Sequence, residues 1–140
     1  MRLSEQRIQK YLNEVLQCAR KVEQIISGTE DLQEKDILAL KYLVIEVAEA
    51  MANTLQHILA KEFGVSVKGY VDTILKAEDK GVISHELFLR IKPFFDFRNA
   101  LIHRYWKIDD KLFLKNLKEG YRDFLRFIEE IEEGFLKKDS

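Results

Sequence analysis

The sequence predicts an all-α fold, a single antiparallel bundle of four to five helices. Apolar residues recur at alternating spacings of three and four along most of the chain, which is the pattern of amphipathic helices. The chain contains only six glycines and one proline, the residues that most disfavour helices, and good helix formers dominate the composition. With 140 residues, 46% of them hydrophobic, the chain has the size of one domain with its own core. We therefore expect residues 1–140 to form one domain.

The first predicted helix runs from about Ser4 to Ser27, and Gly28 ends it. Its apolar stripe consists of Ile8, Tyr11, Val15, Cys18, Val22 and Ile25. A lone cysteine can form neither an internal disulfide nor a cysteine-based zinc site. Cys18 is therefore expected in the core.

The second predicted helix, from about Gln33 to Glu62, is apolar almost all round. Its narrow polar stripe consists of Glu46, Glu49, Asn53 and Gln56. A helix so apolar must be covered on more than one side, and a second copy of the chain could supply part of that cover. The stripe itself is better explained as a solvated or interfacial face than as a metal site, and we expect no metal.

The third predicted helix spans about Val67 to Glu78. Ser84 is a suitable N-cap for the fourth, which extends to about Ile102. Pro93 lies inside that stretch and should kink or restart the helix near Lys92. His57 and His85 have no second ligand at helical spacing, so neither predicts a metal site.

Asp109 is the predicted N-cap of the last helix. The apolar residues of this helix are Leu114, Leu117, Tyr121, Phe124, Ile128, Ile131 and Phe135. Its charged residues are Lys115, Lys118, Arg122 and Arg126 with Glu129, Glu130, Glu132 and Glu133. They predict an exposed face with ion pairs along the helix.

Composition and charge narrow the classes of function. No run of 18 apolar residues occurs, and the first residues carry charge without an apolar signal core, so we expect a cytoplasmic protein without a membrane partner. The net charge of −1 means that the protein has no overall positive charge to attract nucleic acid, and DNA is not an expected partner. A phosphate-binding surface would have to come from a local cluster of basic residues.

Such a surface is predicted between Arg90 and Lys107, where five basic residues stand against one acid. Lys92, Arg104 and Lys107 are its candidate RNA contacts. Cleaving RNA without a metal requires a base for the 2′-OH proton, an acid for the leaving 5′-oxygen and a cation for the charge on phosphorus. His103 is the candidate for the base and the acid, and Arg98 is the candidate for the cation.

Asn99 and Tyr105 are candidate supporting residues at the same site. At about 100° per helical residue, Arg98 and His103 would point roughly 140° apart. Either the helix unwinds near Ile102 so that His103 and Tyr105 turn back, or a twofold axis brings two copies of the segment together. A plain structural role remains open, because an Arg and a His near a helix end can simply cap carbonyls.

The segment Arg98-Asn99-x-x-x-His103-x-Tyr105 resembles the Arg-polar-x3-His-x-Tyr signature of the HEPN superfamily, specifically the HepT-like toxins. The order of elements from Gly69-Tyr70 through Gly81-Val82-Ile83 to Trp106 also resembles that family, and the similarity covers the whole chain. The resemblance implies a HEPN-like helical bundle that acts as a homodimer and a metal-independent ribonuclease, with Arg98 and His103 catalytic and no cofactor.

The resemblance also implies a partner, an MNT-type nucleotidyltransferase antitoxin that neutralises the toxin. In relatives the tyrosine of the signature can be adenylylated by that antitoxin, so Tyr105 is the candidate acceptor. A bulky anionic group there would block the cleft and repel RNA.

Two other classes of function remain open at this point. One is a non-catalytic HEPN subunit that binds substrate for a nucleotidyltransferase, although such relatives generally lack the complete Arg, His and Tyr set. The other is a purely structural helical dimer, which would leave the basic segment unexplained.

Overall fold

The computed structural model describes residues 3–103 and 108–136. Within them the regular structure is all helical, which confirms the predicted fold class. The helices are α1 (Glu5–Gly28), α2 (Glu34–Phe63), α3 (Tyr70–Asp79), α4 (His85–Ile102), α5 (Asp110–Gly120) and α6 (Asp123–Ile131), followed by a π-helical turn (Glu132–Leu136). One continuous hydrophobic core joins them.

Helix α1 has the predicted bounds to within one residue, because its N-cap is a serine. The Ser4 hydroxyl accepts a hydrogen bond from the Arg7 backbone N–H at 3.2 Å. Ile8, Val15 and Val22 are fully buried against the core. Cys18 is also buried, as predicted, and burial raises the pKa of its thiol to about 11.

Helix α2 is the centre of the bundle and packs against α1, α3 and α4. The Gln33 backbone N–H donates to the Asp36 carboxylate at 2.9 Å at its start, and Gly64, with a φ of 63°, ends it in a left-handed conformation. Three helices of the same chain therefore cover most of the apolar surface of α2. Its apolar character does not by itself require a second chain.

Helix α3 begins at Tyr70, three residues later than predicted. Gly69 has a φ of 99° and a ψ of −177°, which no helical residue adopts, so the chain turns there before α3 starts. The helix packs against both α2 and α4. This position brings the first residue of α3 close to the polar stripe of α2.

Helix α4 starts as predicted, with the Ser84 hydroxyl accepting from the Leu87 N–H at 3.1 Å. It then continues through Pro93 to Ile102 without a restart near Lys92. Pro93 has no N–H, so the Leu89 carbonyl lacks its usual helical partner. Leu89 lies on the exposed side of the helix, where water can bond that carbonyl.

The predicted last helix is divided into α5 and α6 at Tyr121 and Arg122. The Phe124 and Leu125 N–H groups bond to carbonyls three residues back at this point, which tightens the turn. Gly120, a weak helix former, precedes the break and lets α5 approach α4 closely. A Cβ at position 120 would lie 3.1 Å from the Phe94 ring.

The apolar pattern of the last segment is nevertheless retained, and Leu117, Phe124 and Ile131 are fully buried. The ion pair of Arg126 differs from the prediction. It joins Glu86 of α4 rather than an acid of its own helix, and Glu130 accepts hydrogen bonds from Ser84. These contacts fasten α6 to the start of α4. Among the described residues, no helix combines the length and apolarity needed to span a membrane.

Lowering the pH from 7 to 5 is expected to destabilise the protein through His57. This buried side chain accepts a hydrogen bond from the Ser4 N–H at 2.9 Å, so it is neutral in the folded state. Burial first, and then Arg7 and Lys61, lower the pKa of His57 below its ordinary value of about 6.5. The unfolded chain therefore takes up the proton first, and stability is lost as the pH falls from the unfolded pKa towards the folded one.

The measurement is urea unfolding at several pH values for the wild type and His57→Gln, whose amide oxygen can still accept the bond. The variant should show a flatter dependence of the unfolding free energy between pH 7 and 5. Equal slopes for the two proteins would contradict the assignment to His57.

Candidate active site

Arg98 lies on α4 with its guanidinium directed at the polar stripe of α2. Its Nη2 donates to the Glu49 Oε2 atom at 3.1 Å, and its Nε lies 3.4 Å from the same oxygen. The side chain of Arg98 is only 14% exposed, against 37% for Glu49. The two residues form an ion pair between two helices, with Arg98 largely shielded from water.

Two further contacts fix the same guanidinium. Its Nη1 donates to the Asn99 Oδ1 atom at 3.1 Å. Its carbon lies 3.8 Å from the centre of the Tyr70 ring, which is the geometry of a cation–π interaction. Glu49, Asn99 and Tyr70 therefore hold Arg98 from two edges and one face.

The turn before α3 determines where Tyr70 lies. Thr73 donates from its hydroxyl to the Gly69 carbonyl at 2.7 Å, and Gln56 of α2 donates to that hydroxyl at 3.1 Å. Asp72 accepts from the Lys68 N–H at 2.8 Å, and this bond lowers the pKa of the Asp72 carboxyl. These bonds tie the start of α3 to α2 and so place the Tyr70 ring against Arg98.

Gly69→Ala is expected to lower the free energy of unfolding by about 1–3 kcal/mol. The backbone at position 69 lies in a region that only glycine adopts without strain, whereas open space surrounds the added methyl group. Chemical denaturation should measure the loss. Gly134→Ala is the control, because its added methyl group also meets open space but its backbone is not in the left-handed region. Equal losses in the two variants would argue against backbone strain at Gly69.

His103 is the residue that follows the last turn of α4. Its N–H donates to the Asn99 carbonyl at 3.0 Å, and its φ and ψ are −87° and 10°. The helical path is therefore kept as far as the His103 backbone, and no unwinding before this residue turns it back towards Arg98. His103 is exposed at the end of α4.

The remaining predicted site residues are only partly covered by the structure. Lys92, a predicted RNA contact, pairs with Asp96 on the next turn of α4 at 2.9 Å. Arg90 lies 3.7 Å from the buried Asp123. Much of the positive charge predicted for the described part of this segment is thus balanced locally. Arg104, Tyr105 and Lys107 lie outside the described residues.

The polar stripe of α2 was interpreted as a solvated or interfacial face, and two of its glutamates contact side chains of the same chain. Glu49 binds Arg98, and Glu46 lies beside Tyr42, raising the pKa of that phenol. Within residues 3–103 and 108–136, no group of three or more His, Cys, Asp or Glu side chains could hold a metal ion. Glu49 and Tyr70 were not predicted as site residues. The signal for Glu49 was a polar stripe on a helix otherwise covered by apolar neighbours.

The chain is similar to known ribonuclease proteins. Residues 10–131 match the family model described as "Ribonuclease HepT-like". A protein of Archaeoglobus fulgidus named "Putative RNase" is 25% identical over 118 residues, which cover 81% of this chain and 89% of that protein. The matched region contains the whole of α2, α3 and α4, and with them Glu49, Tyr70, Arg98 and His103. This chain therefore belongs to the HepT-like ribonuclease family.

Proposed function

We propose that this protein is a metal-independent endoribonuclease, the toxin of a toxin–antitoxin pair, with Arg98 and His103 as its catalytic residues. The observation that carries the proposal is the oriented guanidinium of Arg98 on the helix that ends at His103, in a chain of a ribonuclease family. The resemblance of the Arg98–Tyr105 segment to the HEPN signature supports the same reaction.

In the proposed reaction the 2′-hydroxyl of RNA attacks the adjacent phosphorus. His103 takes the hydroxyl proton as the 2′-oxygen bonds to phosphorus, and returns a proton to the 5′-oxygen as its bond to phosphorus breaks. Arg98 binds the non-bridging phosphate oxygens, on which negative charge grows in the transition state. The products are a 2′,3′-cyclic phosphate and a 5′-hydroxyl, and the step needs neither a metal nor a water molecule.

The site is proposed to form at the twofold axis of a homodimer. Because the helical path extends to His103, the Arg98 and His103 side chains of one chain leave α4 about 140° apart. In a symmetric dimer Arg98 of one chain can act with His103 of the partner subunit. Light scattering should then give twice the chain mass.

Mixing two strongly impaired variants tests the shared site. A heterodimer of Arg98→Ala with His103→Ala would contain one site with both catalytic residues and one site with neither. Activity should return on mixing, up to about half that of wild type per dimer, since one of two equivalent sites is intact. No recovery from a mixture shown to contain heterodimers would argue for a site within one chain.

Regulation by a partner completes the proposal. An MNT-type nucleotidyltransferase acts as the antitoxin and adenylylates Tyr105, two residues beyond His103. The added phosphate would place negative charge where RNA phosphate must bind. Arg104, Lys107 and Lys92 are the proposed contacts to the RNA backbone, with Lys92 exchanging Asp96 for phosphate.

The experiment is cleavage of labelled tRNA and mRNA in EDTA by wild type, Arg98→Ala and Arg20→Ala. Arg20 is an exposed arginine on α1, outside the basic segment, and serves as the control. Wild type and Arg20→Ala should cleave and leave 2′,3′-cyclic phosphate ends, whereas Arg98→Ala should cleave about 10²- to 10³-fold more slowly, as expected for loss of a donor to the transition state. The intact mass of the wild type shows whether Tyr105 carries AMP. Failure of unmodified wild type on both RNAs would favour the non-catalytic partner of a nucleotidyltransferase.

A further inference from the structure

The ion pair between Glu49 and Arg98 is unusual for a group whose proposed work is to bind phosphate. Exposed ion pairs contribute little and leave long side chains mobile. Here the cation is mostly shielded, and its partner lies 49 residues away on another helix. Taking charges out of water is costly, so such a pair is weak evidence for a stabilising role. Holding the guanidinium in one orientation is a benefit that would offset this cost.

We propose that Glu49 and Tyr70 are positioning residues that preorganise Arg98 for transition-state stabilisation. The inference rests on the proposed ribonuclease function. Glu49 engages the edge formed by Nε and Nη2, and Asn99 engages Nη1. These contacts account for three of the five N–H groups of an arginine, and two remain for phosphate oxygens.

Tyr70 fixes the plane of the same guanidinium. Two hydrogen bonds to one carboxylate oxygen still permit the group to rock about that oxygen, whereas a ring 3.8 Å away limits the movement on one face. Gly69 and Thr73 in turn fix the position of the ring. One residue from each of the helices α2, α3 and α4 therefore orients the Arg98 guanidinium.

A preorganised donor acts on the chemical step more than on substrate binding. Its N–H groups already point to where charge develops, so little reorganisation is needed during the reaction. Loss of the orientation should therefore lower kcat while KM changes little. A competing role for Glu49 makes the opposite prediction. A carboxylate that merely occupies Arg98 until RNA arrives would, when removed, strengthen RNA binding or raise the rate.

The test compares Glu49→Gln with Glu46→Gln in steady-state RNA cleavage. Glu46 is half-buried on the same helix and lies beside Tyr42 rather than Arg98, so it is the matched control. Glu49→Gln should lower kcat about 10- to 100-fold with KM nearly unchanged, as misplacement of a catalytic group does. Glu46→Gln should cleave like the wild type. Tyr70→Leu should lose more activity than Tyr70→Phe, which retains an aromatic face over Arg98.

A double-mutant cycle separates positioning from a merely structural role. In the Arg98→Ala background, Glu49→Gln should cost almost nothing further in kcat, because there is no cation left to position. A structural role would lower kcat by the same factor in both backgrounds. Circular dichroism at the assay temperature ensures that all compared variants are folded.

The outcomes distinguish this inference from the proposed function. If wild type and Glu46→Gln cleave RNA and Glu49→Gln cleaves equally well or faster, the positioning role is wrong and the ribonuclease function stands. If neither wild type nor Glu46→Gln cleaves, the proposed function fails and the inference fails with it. A drop in kcat confined to Glu49→Gln that vanishes in the Arg98→Ala background supports it.

Discussion

Replacing His103 with alanine is expected to lower the rate of RNA cleavage by about 10²- to 10⁴-fold, the usual contribution of a general acid–base group. The imidazole is the proposed proton carrier, and the substitution removes it at the exposed end of α4. The backbone N–H of residue 103 can still donate to the Asn99 carbonyl, so the helix end should persist. The measurement is single-turnover cleavage of a labelled RNA in EDTA, with unfolding curves for both proteins.

His85→Ala is the matched control for this variant. His85 is also an exposed histidine of α4, but it lies at the first residue of the helix, beside Glu78 and Phe88. Its removal should leave the cleavage rate within about twofold of wild type, as expected for a surface substitution away from the site. If His103→Ala cleaved RNA as fast as His85→Ala and the wild type, His103 would carry no proton in the reaction.

Much of the fold could be predicted from the sequence because its signals are local. Ser4 and Ser84 lie directly before apolar periodic segments, and a capping serine acts within three residues. The stripe of α1 was likewise predicted from spacing alone. Each of these signals depends on neighbours within one or two helical turns. The bounds of α1, α2 and α4 were accordingly predicted to within about two residues, the usual uncertainty of helix ends.

The division of the last helix was not predicted, because the apolar spacing continues across the break. Leu117, Phe124 and Ile131 keep their pattern on both sides of Tyr121. The relevant constraint is the approach of Gly120 to Phe94, two residues that are distant in sequence. Pro93 shows the converse. A strong local signal for a break was overridden, because the helix is capped and packed on both sides of it.

Only some residues of the candidate site could be predicted from the sequence. Arg98, Asn99 and His103 lie within six residues, so a short motif could identify them. Glu49 and Tyr70 reach the same guanidinium from two other helices, and their contribution depends on how α2, α3 and α4 are rotated against one another. Spacing along the chain contains no record of that rotation. A residue that acts across helices is visible only once the helices are packed.

Phe124→Ala is expected to lower the free energy of unfolding by about 3–5 kcal/mol, the cost of removing a large aromatic side chain from a packed core. Phe124 is fully buried, and its ring meets that of Phe94 on α4 edge to face, with the centroids 4.9 Å apart. This contact supports α4 one turn before Arg98. A domain of this size is stable by only about 5–15 kcal/mol, so the variant should be close to the limit of folding. Urea unfolding monitored by circular dichroism measures the loss.

The next residue provides the control, because Leu125 is on the same helix but 43% exposed. Leu125→Ala should cost less than about 1 kcal/mol, since it removes little buried surface and leaves no cavity. The two variants remove large apolar groups at adjacent positions, so a shared effect on helix propensity cannot account for a difference between them. If Phe124→Ala lowered the free energy of unfolding as little as Leu125→Ala does, the core around Phe94 would have closed over the cavity. RNA cleavage by Phe124→Ala should then persist, because α4 would keep its position.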